Sequence, residues 1–468
     1  MKRITLIAIA ALFLAGGCRK IEVDGTPDNS NPVIPGSENT ILEGRITSNR
    51  TLKADYVYKL RGLVYVTNGA VLTIEPGTKI VGEQGRNGGL IITRSCKIIA
   101  DGTEAKPIVF TSEAATPARG DWAGVIVLGN APTNASFNGQ PGIGEIEGGV
   151  NNSDGLGLYG LGASSNPADN SGILRYVRIE YAGYAFLPDK EINGLTFGGV
   201  GNQTIVDHVQ VSYANDDSFE WFGGTVNCTH LIAYKGLDDD FDTDNGFSGK
   251  VQFGIGFRDS SVADISGSNG FESDNDAGGS ASTPQTSVVF SNMTSIGPKA
   301  TLATVGNSNY KRGAHIRRNS GLSLFNSIIM GWPTGILLDA STGTPTDLNL
   351  VGATPKSVIA NNVIAGNGTQ LNYTASAAAP TGWAAIDFSN YINRSGGGNT
   401  LLPATADVQL SNPFKYDSNV DFNPTAGSPA LTGASFTDAK VTSWFTPTGY
   451  RGACAVGDTW WKNWTKFN

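Results

Sequence analysis

Charge is scarce in this chain. Only 16% of its 468 residues are Asp, Glu, Lys or Arg, against about 25% in an ordinary soluble domain. The 33 basic residues are outnumbered by 41 acidic ones, for a net charge of −8. That balance leaves no basic footprint, so nucleic acid is not an expected partner. Histidine occurs three times and cysteine four times, and no CxxC or Cys/His spacing is present. Zinc-finger and zinc-ribbon sites are thereby excluded. No glycine-rich stretch has phosphate-loop spacing. Segments with a helical apolar period are nearly absent, which argues against a helical bundle. Past the first residues, no apolar run is long enough to cross a bilayer as a helix.

What fills the space is glycine, 61 of 468 residues, roughly 13% against an average near 7%. Asn, Ser and Thr supply most of the polarity. Short β-rich runs alternate with turn residues: Val64 to Val66, Val71 to Ile74, Leu90 to Ile92, Ile108 to Thr111, Val125 to Leu128, Val206 to Tyr213 and Ser323 to Met330. Such a mixture suits many short strands joined by tight turns.

One pair of segments sets the architecture. His208 to Glu220 is followed by His230 to Asp242, and equivalent residues are 22 apart, as 230 − 208 and 242 − 220 show. A step of that length is one coil of a parallel β-helix, whose coils stack to share a core. Asn269-Gly270-Phe271-Glu272-Ser273-Asp274 echoes the pattern a third time after 271 − 241 = 30 residues, so that coil carries an outward loop near Arg258 to Asp264. Phe219, Phe241 and Phe271 are expected to form an internal ladder, and Glu220, Asp242 and Glu272 an acidic line. The fold expected is all-β, a single right-handed parallel β-helix with terminal caps. Trp460, Trp461 and Trp464 are assigned to the cap that plugs the open end.

The N-terminus reads as an export signal over 1–17, with Lys2 and Arg3 before an apolar run from Ile4 to Leu14. Leu14-Ala15-Gly16-Gly17-Cys18 resembles a bacterial lipoprotein box, although Ala15 stands where most boxes carry Leu. The resemblance implies a lipid on Cys18, hence a membrane partner through that anchor and an outer-membrane, cell-surface location. Residues 18–40 read as a flexible tether and 41–468 as the β-helix domain with its C-terminal cap. After the signal, Cys96, Cys228 and Cys454 allow at most one internal disulfide, and buried small residues are the expected role of Cys96 and Cys228.

Longer segments also carry a resemblance. NGAVLTIEPGTKIVG (68–82), DGTEAKPIVFTS (101–112) and GDWAGVIVLG (120–129) resemble the opening coils of uncharacterised right-handed β-helix lipoproteins of Bacteroidetes-type and other Gram-negative bacteria. DHVQVSYANDDSFEWFGGTVN (207–227), DDDFDTDNGFSGKVQ (238–252) and GFESDNDAGG (270–279) look like that family's middle. YRGAC (450–454) with WWKNWTKFN (460–468) is similar to its end. The resemblance implies the pectate-lyase-like fold and an exported setting, and no settled activity.

The acidic line admits three uses. Asp and Asn cap coil corners by accepting backbone N–H groups. A hard cation such as Ca²⁺ takes clustered carboxylates, with Asp216, Asp217, Asp239, Asp242 and Asp244 as candidate ligands. Glu220, Asp242, Glu272 and Asp274 are candidate contacts for a polysaccharide. Catalysis is the third use. Polygalacturonase-type glycosidases share the fold and carry Asn-x-Asp-Gly, Asp-Asp, Gly-His-Gly and Arg-x-Lys. Asn215-Asp216-Asp217-Ser218 resembles the first element and Asp238-Asp239 the second. That resemblance implies Asp239 as proton donor, with Asp217 and Asp238 activating water. His315, Arg317 and Arg318 lie too far downstream, and out of register, to supply the other two elements. Calcium-dependent pectate lyases add an Arg or Lys base, for which Lys235, Lys250 and Arg258 are the candidates. His208 and His230 repeat at the coil step and read as stacked turn residues bonded to backbone rather than as metal ligands.

Overall fold

The computed structural model describes residues 38–85, 87–187 and 190–468. The signal segment, Cys18 and most of the tether lie outside the described residues. Thr40–Asn468 is one compact unit, and 28 of its strands join in one continuous sheet. Coil-to-coil pairing is parallel throughout that sheet, as a right-handed parallel β-helix requires.

Each coil has three short strands. The first sheet stacks Leu195–Gly198, Phe219–Phe222, Phe241–Asp244, Asn269–Ser273, Arg312–Ile316 and Thr334–Asp339. After separate strands such as Lys97–Asp101 and Ile108–Ser112, the other two sheets run through the halves of Gly172–Glu180, Ile205–Ser212 and Asn227–Tyr234. In the next coil these halves separate into Lys250–Gln252 and Ile255–Phe257.

The bend between second and third sheets is a ladder of left-handed residues. Tyr176, His208, His230, Phe253, Asn292, Asn326 and Asn361 all have φ between 49° and 61°. Asn tolerates this conformation, and bulky residues do so only against compensating contacts. Here the aromatic members stack, with His208 and His230 ring centroids 4.2 Å apart and His230 and Phe253 5.1 Å apart. His230 Nδ1 hydrogen-bonds to a carboxylate and not to backbone, 2.8 Å from Asp207 Oδ1, and His208 Nδ1 lies at the same distance from that oxygen without making a hydrogen bond.

Phe219, Phe241 and Phe271 pair in register and stack inside the coil at 5.7 and 5.4 Å. Trp221 and Trp332 are fully buried beside that ladder. Cys96, Cys228 and Cys454 are buried free thiols. The helix Ala385–Ile392 lays Phe388 and Ile392 into the main core at the last coils, beside the strand Thr369–Thr374.

The C-terminal tryptophans do not plug that end. Residues 460–468 run along the flank of the helix, over the outer face of the third sheet. Trp461 and Trp464 pack with Ile232, Tyr234, Ile255 and Phe257. Gln210 exchanges two hydrogen bonds of 2.9 Å with the Lys466 backbone, and Lys235 Nζ reaches the Asn468 carbonyl oxygen at 3.2 Å. This cover explains why third-sheet strands such as Ile255–Phe257 and Ile328–Met330 are apolar on both faces.

Candidate functional site

The corner from the third sheet to the first is held by side chains that reach across coils. Asp217 N–H donates to Asn193 Oδ1 at 3.3 Å, Asp239 N–H to Asp217 Oδ1 at 2.7 Å, and Asn269 N–H to Asp239 Oδ1. Asp217 and Asp239 are therefore corner caps. Each uses one oxygen on the next coil's backbone.

Immediately after this corner each coil enters the first sheet, and one outward position stacks Thr196, Glu220, Asp242, Glu272 and His315. The acidic line is thus present in register. It continues into His315, which corrects the expectation that His315 is out of register. The separation 315 − 272 = 43 hides the stacking because residues 274–288 and 297–311 add excursions on either side of the coil strands Val289–Ser291 and Thr294–Ile296.

Corner and row together line a cleft of 340 Å³. Asp216, Asp217, Glu220, Asp238, Asp239, Asp242 and Glu272 meet there. Glu147, Glu191 and Asp264 join them from excursions outside the repeat. Three overlapping trios each bring one oxygen per residue within 4.8 Å of the others: Asp216/Asp217/Asp238, Asp217/Glu220/Asp242 and Asp239/Asp242/Glu272. Asp244 and Asp274 stand outside the cleft. Asp244 accepts from the Asn245 N–H. Asp274 is clamped by Arg317 Nε at 2.7 Å and Arg318 Nη1 at 2.7 Å.

Two carboxylate charges 4.8 Å apart repel by roughly 3.5 kcal/mol at an effective dielectric near 20. Burial comes first and this repulsion second in pushing the Asp216, Asp217, Glu220, Asp239 and Asp242 carboxyls well above the ordinary carboxylate range. Burial likewise lifts Asp238 to about 6, against a 2.8 Å hydrogen bond from the Ser266 hydroxyl. Glu272 goes the other way. Burial raises it, but the His315 Nδ1 bond at 3.3 Å and the Arg317 charge outweigh burial and leave it below its ordinary value. His315 Nε2 also lies 3.3 Å from Asp339 Oδ2. The cleft therefore runs from a protonatable acidic floor to an end held by His315 and Arg317.

The three candidate lyase bases are elsewhere. Lys235 sits over the Tyr213 and Tyr234 rings, and Lys250 donates to Ser443. Arg258 is fully buried, 3.1 Å from Asp240, and donates to the Gly236 carbonyl oxygen at 2.8 Å. It closes the coil interior, and the outward loop begins after it.

Residues 44–400 match the family described as the pectate-lyase-like beta helix domain, and the chain belongs to that family. No curated protein matches it. Among solved structures it is similar to pectate lyase Pel9A, at 12% identity and a TM-score of 0.32, over 90% of this chain and 85% of that one.

Proposed function

We propose that this chain is an exported, lipid-anchored β-helix that binds polysaccharide, and that its acidic cleft acts by holding a Ca²⁺-type cation. The observation that carries the reading is the three overlapping carboxylate trios within one cleft. Every donor there is a carboxylate oxygen, the ligand type Ca²⁺ prefers. Asp242 Oδ1 is buried without a hydrogen-bond partner, which leaves acceptor capacity for an ion. Asp217, Glu220 and Asp242, or Asp239, Asp242 and Glu272, would hold it. A bound cation supplies positive charge that lets an acidic cleft accept the carboxylates or hydroxyls of a glycan. Membership of the pectate-lyase-like family supports polysaccharide as the partner.

The test is thermal unfolding with calcium and with chelator, paired with metal analysis of the purified protein. A melting temperature raised by calcium supports the reading. Equal melting temperatures with no bound metal rule it out. Anchoring is tested separately, by incorporation of labelled fatty acid that Cys18→Ser abolishes.

A second reading, glycan hydrolysis, is favoured by one observation. The Asp239 carboxyl is held well above the ordinary range, as a general acid at neutral pH must be, while Asp238, at about 6, is ionised there. Asp239 would protonate the leaving oxygen and Asp238 would activate water, with Asp217 joining as a base only once its own raised carboxyl is ionised. Reducing-sugar release over a polysaccharide panel tests it, and release that survives Asp239→Asn removes the assignment.

A further inference from the structure

A second cleft, of 330 Å³, lies on the outer face of the second sheet and shares no residue with the acidic one. Its floor is Arg175, Asp207, Asn227 and Thr229, from three successive coils. Its wall is Trp444 with Thr446, from the C-terminal segment that crosses this face. Gln252 pins that wall by bonding both the N–H and the carbonyl oxygen of Thr446 at 2.8 Å.

Trp444 presents its indole at the surface in a strained backbone conformation. It is 41% exposed and its φ is +72°. A bulky residue in that region is a strained outlier, and such outliers cluster at functional positions. Its ring meets Phe445 edge-on at 5.1 Å, an arrangement that props the indole without covering it.

The floor sets two carboxylates beside one guanidinium, with Arg175 Nη1 3.2 Å from Asp101 Oδ1 and Asp207 on its other side. Asp207 Oδ1 accepts from the Thr229 hydroxyl at 2.8 Å and hydrogen-bonds to His230 Nδ1 at 2.8 Å. Asp207 Oδ2 lies 3.9 Å from Arg175 Nε, too far for a direct hydrogen bond, and that Nε has no hydrogen-bond partner. Asn202 stands exposed at the rim. The cleft thus offers an aromatic face beside amide, hydroxyl and carboxylate groups, in a volume at the lower end of those that take small ligands.

We propose that this cleft is a binding subsite for an uncharged sugar unit of a glycan. The C–H face of the ring stacks on Trp444, and its hydroxyls bond to Asn202, Asn227 and the Arg175–Asp207 pair. Two carboxylates around one guanidinium favour a neutral unit over a uronate. The subsite uses no cation, so it stands apart from the acidic-cleft reading.

The test is affinity electrophoresis of the full chain, in chelator, through gels containing hydroxyethyl cellulose, mannan or xylan. At least one gel should retard the wild type. Trp444→Ala should weaken that retardation about tenfold, the scale of one aromatic contact. Trp444→Phe should keep part of it, and the exposed-rim change Asn202→Ala should weaken it without altering the melting temperature. The proposal fails if no gel retards the wild type, or if Trp444→Ala and Asn202→Ala both migrate like it.

Discussion

The backbone N–H of Asp239 donates to the Oδ1 of Asp217, one coil earlier, at 2.7 Å. One residue thereby serves two roles, since the same Asp217 side chain belongs to two of the carboxylate trios. Corner capping and ligand binding are not alternatives at this position. Substitutions can separate them, because Asn keeps the acceptor and removes the charge.

Asp217→Asn is expected to leave the fold intact and to stabilise the metal-free protein, since it removes a crowded acid while keeping the bond to Asp239 N–H. Asp217→Ala strands that buried N–H and is expected to cost about 1–3 kcal/mol. Denaturant unfolding of the two variants in chelator checks the difference.

The cleft acids also predict a pH dependence. A carboxyl raised in the folded state binds its proton more tightly there than in the unfolded chain. Stability is therefore greatest below the unfolded value near 4 and falls as pH rises through the raised values. Asp238 in the cleft, at about 6, and Asp244 outside it, at about 8, mark the window. Glu272, lowered by His315 and Arg317, opposes the trend but is outnumbered. The melting temperature of the chelated protein should fall from pH 5 to pH 8, and calcium should cancel most of that fall. The check is a calorimetric pH series with and without calcium.

Phe241 stacks between Phe219 and Phe271 and is fully buried. Phe241→Ala is expected to cost about 3–5 kcal/mol, and Phe241→Leu distinctly less. Chemical unfolding curves provide the comparison.

The flank-running C-terminus makes a further prediction. Trp464 is fully buried and touches Tyr176 and His208 edge-on at 5.7 Å each. Trp464→Ala should uncover the third sheet in mid-helix. Hydrogen exchange should accelerate in 209–212 and 231–234, far along the chain from the substitution, while the helix Ala385–Ile392 at the last coils is unaffected.

The coil step and the acidic row were readable in the chain because 22 residues bring identical side chains to identical positions. Glu220 and Asp242 stack as that spacing implies, and Glu272 joins them after a 30-residue step because the Asn-Gly-Phe-Glu echo marks its coil. His315 was hidden because a loop can lengthen a coil without disturbing the register of its strands, so sequence distance stops reporting alignment. Glu147, Glu191 and Asp264 approach the cleft from excursions with no repeat to mark them. The tryptophan cluster showed that something apolar needed cover. Whether it covered an end or a flank depends on partners such as Tyr176 and Gln210, more than 250 residues away, and no local pattern encodes that choice.

Asp242 is shared by two of the three trios, so it offers the most direct test of the cation reading. Isothermal titration of calcium into the chelator-stripped protein at pH 8 should show saturable binding, weakened at pH 5 because the ligands must shed protons. Asp242→Asn should abolish or greatly weaken that binding while keeping the fold. No heat and no shift in melting temperature for the wild type, or binding unchanged in Asp242→Asn, would contradict the account.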